Sequence, residues 1–245
     1  EKLELTIQQT GAMRKPVPTF YQREAAFTRR RMAEVLSTQG KLAEAEVKLA
    51  EAEVMSRETL AMARKQFGDV HREVDDALGS LARVLQQAGK LAEAETMQRA
   101  ALAIQRKLLG NGPPYQPTAL DNLFIAFTQL TSTLIAEEKF TEAERLARES
   151  LAFAEKELPD DWRMFRARTL LGGGLVGEKR FAEAESLLIS GYEGMKQREQ
   201  RILALDKSHL KNALEQVVQF YEVTGRPDQA AEWKQKLAEF DTTAK

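Results

Sequence analysis

From Tyr21 onward the apolar residues recur every three to four positions, the spacing that lines one face of an α-helix. The pattern predicts ten helices, over 21–39, 42–66, 70–88, 91–109, 117–137, 140–157, 161–177, 181–200, 206–224 and 227–240. A short motif marks the turn inside each successive pair. Gly40-Lys41-Leu42-Ala43-Glu44-Ala45-Glu46 returns unchanged as Gly89-Lys90-Leu91-Ala92-Glu93-Ala94-Glu95, and looser copies start at Glu138, Lys179 and Gly225. The anchoring alanines Ala45, Ala94, Ala143, Ala184 and Ala230 are spaced by 49, 49, 41 and 46 residues. Self-similarity at such a period is the signature of a repeat array.

Twelve positions before each anchor stands a small or apolar residue: Ala33, Ala82, Thr131, Gly172 and Val218. Bulky residues flank it, Met32, Leu81, Leu130, Leu171 and Val217 one before and Leu36, Leu85, Leu134, Leu175 and Tyr221 three after. Each first helix therefore offers a bulky stripe with a notch, into which the second helix of the pair approaches. Gly40, Gly89 and Gly225 supply the left-handed residue that ends a first helix. The expected fold is all-α, a right-handed superhelical array, or α-solenoid, of five helix-turn-helix pairs. Its repeats cover about 21–66, 70–109, 117–157, 161–200 and 206–240 within an array of 20–241. Residues 1–19 read as a linker with a short helical remnant over Glu1 to Gln9, and 242–245 as a tail.

Composition narrows the function classes. Lys and Arg total 36 against 37 Asp and Glu, which removes the bulk positive charge that nucleic acid or an anionic membrane would need. No run of about 18 apolar residues stands out as a bilayer span. With no cysteine, disulfides, thiolate nucleophiles and cysteine-ligated metals are excluded. The compartment stays open: the cytoplasm is the expectation, and export the alternative if a signal or anchor precedes Glu1.

Catalytic chemistry finds no support. His71 and His209 are the two histidines, and neither has a metal-ligand neighbour at a recognised spacing. Gly172-Gly173-Gly174-Leu175-Val176-Gly177-Glu178-Lys179 looks superficially like a phosphate loop, but Glu178 intervenes before the lysine, no Ser or Thr follows, and the context is helical. Glycines inside a helix cost about 1 kcal/mol each relative to alanine, so this run implies close helix packing, a local bend or a widened pocket. The Glu-Ala-Glu runs read as solvated helix faces. Trp162, Phe165, Phe220, Tyr221 and Trp233 read as core and end-cap packing. No enzyme activity, cofactor or metal is expected.

The small notch residues, the Gly-x-[aromatic/Leu]-x-Glu-Ala turn and the connections Phe67-Gly68-Asp69-Val70-His71 and Leu109-Gly110 resemble the tetratricopeptide repeat family, in its long-period, kinesin-light-chain-like subgroup. The C-terminal third, from Leu187 to Trp233, is similar to the ends of bacterial arrays, many of which are joined to serine/threonine kinases. The resemblance implies a concave face lined by first helices, on which a protein segment binds. Carried over residue by residue, it places Arg30, Arg31 and Glu34 on that face in the first repeat and Arg83, Gln86 and Gln87 in the second. Thr128 and Gln129 follow in the third, Arg166 in the fourth and Gln219 in the fifth. Where kinesin-like members carry paired asparagines, this chain has Arg30-Arg31, Gly79-Ser80 and Thr128-Gln129. The partner expected is a protein or peptide, acidic toward the Arg30, Arg31 and Arg83 end, with no nucleic acid and no membrane insertion. The alternatives are a regulatory or docking arm of a larger protein, such as a bacterial serine/threonine kinase, and a self-associating module or homodimer.

Overall fold

The computed structural model describes residues 18–111, 117–203 and 207–243, and the expected remnant at Glu1 to Gln9 lies outside them. The described residues form ten α-helices: α1 (Pro18–Thr38), α2 (Leu42–Phe67), α3 (Arg72–Gln87), α4 (Leu91–Asn111), α5 (Pro117–Ala136), α6 (Phe140–Glu157), α7 (Trp162–Gly177), α8 (Phe181–Gln197), α9 (Ser208–Val223) and α10 (Pro227–Thr243). A single 3-10 turn, Glu199–Arg201, follows α8 where the apolar pattern had suggested continuing helix to residue 200. The helix α10 runs three residues past the expected end. The chain divides into two compact units, Glu1–Asn111 with α1 to α4 and Gly112–Lys245 with α5 to α10.

Every first helix closes with the same two backbone bonds, a Schellman turn. In α1 these run from Gly40 N–H to Ser37 carbonyl (3.0 Å) and from Lys41 N–H to Leu36 carbonyl (2.9 Å). The equivalents after α3, α5, α7 and α9 pair Lys90 with Leu85, Lys139 with Leu134, Arg180 with Leu175 and Arg226 with Tyr221, at 2.8 to 3.0 Å. The turn residue must be left-handed. Gly40, Gly89 and Gly225 take it at φ of 73°, 74° and 69°, whereas Glu138 and Lys179 take it at 59° and 61° without glycine's freedom. His71 caps α3, its Nδ1 accepting Glu73 N–H at 3.1 Å, and Asp161 caps α7 by accepting Arg163 N–H at 2.9 Å.

Notches and anchors pack as the pattern predicts. Ala33, Ala82 and Thr131 are fully buried, as are Ala94, Ala143 and Ala184. The glycine run divides by role. A Cβ on Gly172 would lie 2.8 Å from Leu188 Cγ, and one on Gly177 would lie 2.1 Å from the Phe140 ring, so these two permit close helix packing. Trp162, Phe165, Leu188, Tyr192, Phe220, Tyr221 and Trp233 form the main core of unit 2, and Leu60, Leu78, Leu81, Leu85 and Ile104 that of unit 1. Against the sequence expectation, Thr118–Ala136 within α5 has the length and mean hydropathy (1.2) of a membrane span, and 56% of it is buried. Its apolar residues Leu120, Leu123, Phe124, Phe127, Leu130 and Leu134 are buried within the protein.

Candidate functional site

First helices also touch one another within each unit: α1 with α3, α5 with α7, and α7 with α9. The positions expected to face inward all lie on these first helices. In unit 1 this face gathers Arg23, Arg30, Arg31 and Arg83 with Glu34, Glu73 and Asp76. Glu34 takes both of its neighbours, bonding Arg30 through Oε1 and Arg31 through Oε2 at 2.6 Å. Arg23 crosses to α3 and binds Asp76 at 2.8 Å.

Arg83 is left over. Among the described residues it makes no hydrogen bond or ion pair, and its Nη1 lies 3.8 Å from where a Cβ on Gly79 would stand. The side chain is exposed by area yet closely surrounded by protein, as on the floor of a concavity. Burial first, then the charge of Arg30, hold its pKa below the ordinary arginine value, with Asp76 opposing. Of its neighbours along α3, Gln86 is already engaged, and Gln87 has a buried side-chain oxygen with no partner.

In unit 2 two of the expected positions already have partners within the protein. Thr128 is fully buried and its hydroxyl donates to the Ile125 carbonyl at 3.1 Å, so it presents nothing to a ligand. Arg166 is half-buried and points Nη1 at Nε2 of His209, 2.9 Å away. Because a guanidinium can only donate, Nε2 must accept and the ring proton sits on Nδ1. The His209 ring also stacks on Trp162 with centroids 5.8 Å apart. Burial, then Arg166, push its pKa down to about 4, which keeps the imidazole neutral.

Gln129 is half-buried and Gln219 exposed. Sequence reasoning missed Gln216, whose side-chain oxygen is buried without a partner. Its amide nitrogen lies 3.9 Å from where a Gly173 Cβ would be, with Ile135 Cδ1 at 3.6 Å on the other side. Gly173 is therefore a helix glycine that packing does not require. No group of three or more His, Asp or Glu able to hold a metal occurs among the described residues.

This arrangement has known counterparts. Residues 76–115 match the tetratricopeptide repeat family model, starting inside α3 and covering the Gly89 turn. By this match the segment from Asp76 to Tyr115 is a tetratricopeptide repeat. Its fold is similar to that of the nearly identical TPR-like kinesin light chain repeats of Podosopora anserina, at 16% identity and a TM-score of 0.58 over 91% of this chain and 98% of that one. It is also similar to BtubC (BKLC) from P. vanneervenii, at 16% identity and a TM-score of 0.57 over 93% and 92%. No curated protein sequence matches this chain. The 49-residue spacing of the first two repeats accommodates a long second helix, α2, which at 26 residues outruns its 16-residue neighbour α3.

Proposed function

We propose that this protein is a non-catalytic interaction scaffold whose first-helix face in unit 1 holds an extended segment of a partner protein, with an acidic residue of that segment on Arg83. The observation that carries the reading is the unpaired Arg83 guanidinium on an inner face whose other arginines are neutralised by Glu34 and Asp76. A closely surrounded cation without a counter-ion keeps its attraction for one, and a guanidinium offers a carboxylate two parallel donors. Gly79 leaves room beside it for a main chain. In unit 2 the Gln216 amide and the bare Gly173 backbone offer the polar contact and the space that a peptide group needs. The exposed Gln219 and half-buried Gln129 extend that face.

Panning a random-peptide display library against the wild type and against Arg83→Glu tests this. Acidic residues should be enriched at one position on the wild type. That preference should vanish on the variant, with the selected peptide losing about tenfold or more in affinity, as expected for a charge-assisted contact. Arg31→Ala should change little, because Arg31 is spent on Glu34. Identical enrichment on both proteins would remove Arg83 from the site.

A further inference from the structure

Among the described residues, the outer edge of α1 has the form of a repeat junction with no second helix packed before it. Residues 49 positions apart correspond in the first two repeats. In α3, Leu81 and Val84 are each 1% exposed, and this helix packs on both α2 and α4. Their counterparts Met32 and Val35 in α1, which has no preceding second helix among the described residues, are 46% and 54% exposed. Leu42, at the start of α2, stands out likewise.

Each described junction within a unit also has a charge signature. The cation after the turn residue reaches back to a glutamate on the preceding second helix: Lys90 to Glu53 at 2.9 Å, Arg180 to Glu144 at 2.7 Å, and Arg226 to Glu185 at 2.9 Å. From that glutamate the helix places packing residues three, seven and ten positions on, as Ser56, Leu60 and Ala63; Ala147, Leu151 and Ala154; Leu188, Tyr192 and Met195. Lys41 occupies the cation position in the first repeat, and its acid is Glu44 on its own helix at 3.9 Å. Stripe and cation are thus both in place.

We propose that this edge docks an amphipathic helix of a partner protein, one carrying a glutamate for Lys41 followed by small or apolar residues at three, seven and ten positions beyond it. Charge complementarity and continuity with the three internal junctions define that chemistry. Neither terminal segment of the chain fits it. In α10 the position matching Glu144 and Glu185 is Ala231, with Lys234 and Asp241 three and ten positions on, and the position matching Glu53 is Ala238, so the last helix of a second copy supplies no glutamate in either register. Residues 1–17 hold Glu1 and Glu4, and seven positions beyond them are Gln8 and Gly11, where a packing side chain is needed.

The probe is a lactam-stabilised, fluorescent copy of residues 50–68, which carries the pattern from Glu53, titrated against the whole chain by anisotropy. Saturable binding is expected, weakened about tenfold or more by Met32→Glu/Val35→Glu, whose sites are half-exposed and so compatible with folding. A probe with Glu53→Gln, or the protein with Lys41→Ala, should lose about threefold, the scale of an exposed ion pair. If the charged double variant unfolds by circular dichroism, Met32→Gln/Val35→Thr replaces it with the same expectation. Absence of saturable binding, or equal binding by the stripe variants, overturns the proposal. So does concentration-dependent self-association that the stripe variant abolishes, since the occupant is then a second copy. Tightening of tenfold or more when residues 1–17 are deleted overturns it too, since that segment is then the occupant.

Discussion

The left-handed turns offer a quantitative test of the repeat reading. Glu138 and Lys179 hold φ of 59° and 61° where three sister repeats use glycine. A non-glycine residue in this region costs roughly 1–2 kcal/mol, whereas glycine's extra freedom in the unfolded chain costs it about 0.4–1 kcal/mol. Neither side chain forms a described hydrogen bond or ion pair, so truncation removes no contact. The net expectation for Glu138→Gly or Lys179→Gly is stabilisation by about 0.5–1 kcal/mol each, roughly additive because the turns are separate. The pair should then raise the thermal midpoint of unit 2 by about 3–6 °C on the usual scaling for domains of this size. Gly89→Ala in unit 1 is the mirror control and should lose about 1 kcal/mol. Urea denaturation with amide hydrogen exchange, resolved by unit, reads all three. A fall in stability for either glycine variant would refute the argument that these residues are strained into a glycine site.

Two neighbouring glycines should respond oppositely to the same change. Gly172→Ala meets Leu188 Cγ at 2.8 Å and should cost about 1–2 kcal/mol, whereas Gly173→Ala finds nothing closer than 3.6 Å and should gain about 0.5–1 kcal/mol of helix propensity. Chemical denaturation of the two variants checks the sign. Asp75 is pushed up to about 6, chiefly by burial, so the folded state holds its proton more tightly than the unfolded chain. Unit 1 should accordingly gain stability as pH falls from 6 toward 4, and Asp75→Asn should add about 1–2 kcal/mol at pH 7.5 after discounting for partial exposure. His209 works the other way: held down to about 4, it contributes stability above pH 6.5 that is lost as pH falls toward 4. Hydrogen exchange at pH 7 and 4.5 should show unit 2 weakened by up to about 2 kcal/mol through this group, and His209→Gln should flatten the dependence.

The scaffold was legible because its determinants are local and repeated. A notch residue, a turn residue and an anchoring alanine sit at fixed spacings, and each copy corroborates the others. Even the departures were visible, since Glu138 and Lys179 stand in register with Gly40. The site was less legible. Thr128 falls on an inward register position, yet its surroundings bury it, and no spacing encodes that. Gln216 escaped notice because its approach to Gly173 on α7 exists only once the first helices lie side by side.

The arginines show where the boundary lies. On a helix, residues three or four apart are neighbours, so a cation with an acid at that spacing can be assigned from sequence. Arg30 and Arg31 both reach Glu34 in this way, as Arg57 reaches Glu53 and Arg148 reaches Glu144. Arg83 has Gly79, Ser80, Gln86 and Gln87 at those places, so the sequence already marked it as lacking a local acid. Arg23, Arg29 and Arg166 lack one too, and each is claimed from another helix, by Asp76, Glu51 and His209. Local spacing thus reduces the field to a few cations, and only helix-to-helix register separates those engaged across helices from Arg83, which has no described hydrogen bond or ion pair. That register is a property of the packed pair, set by notch, turn and helix length together.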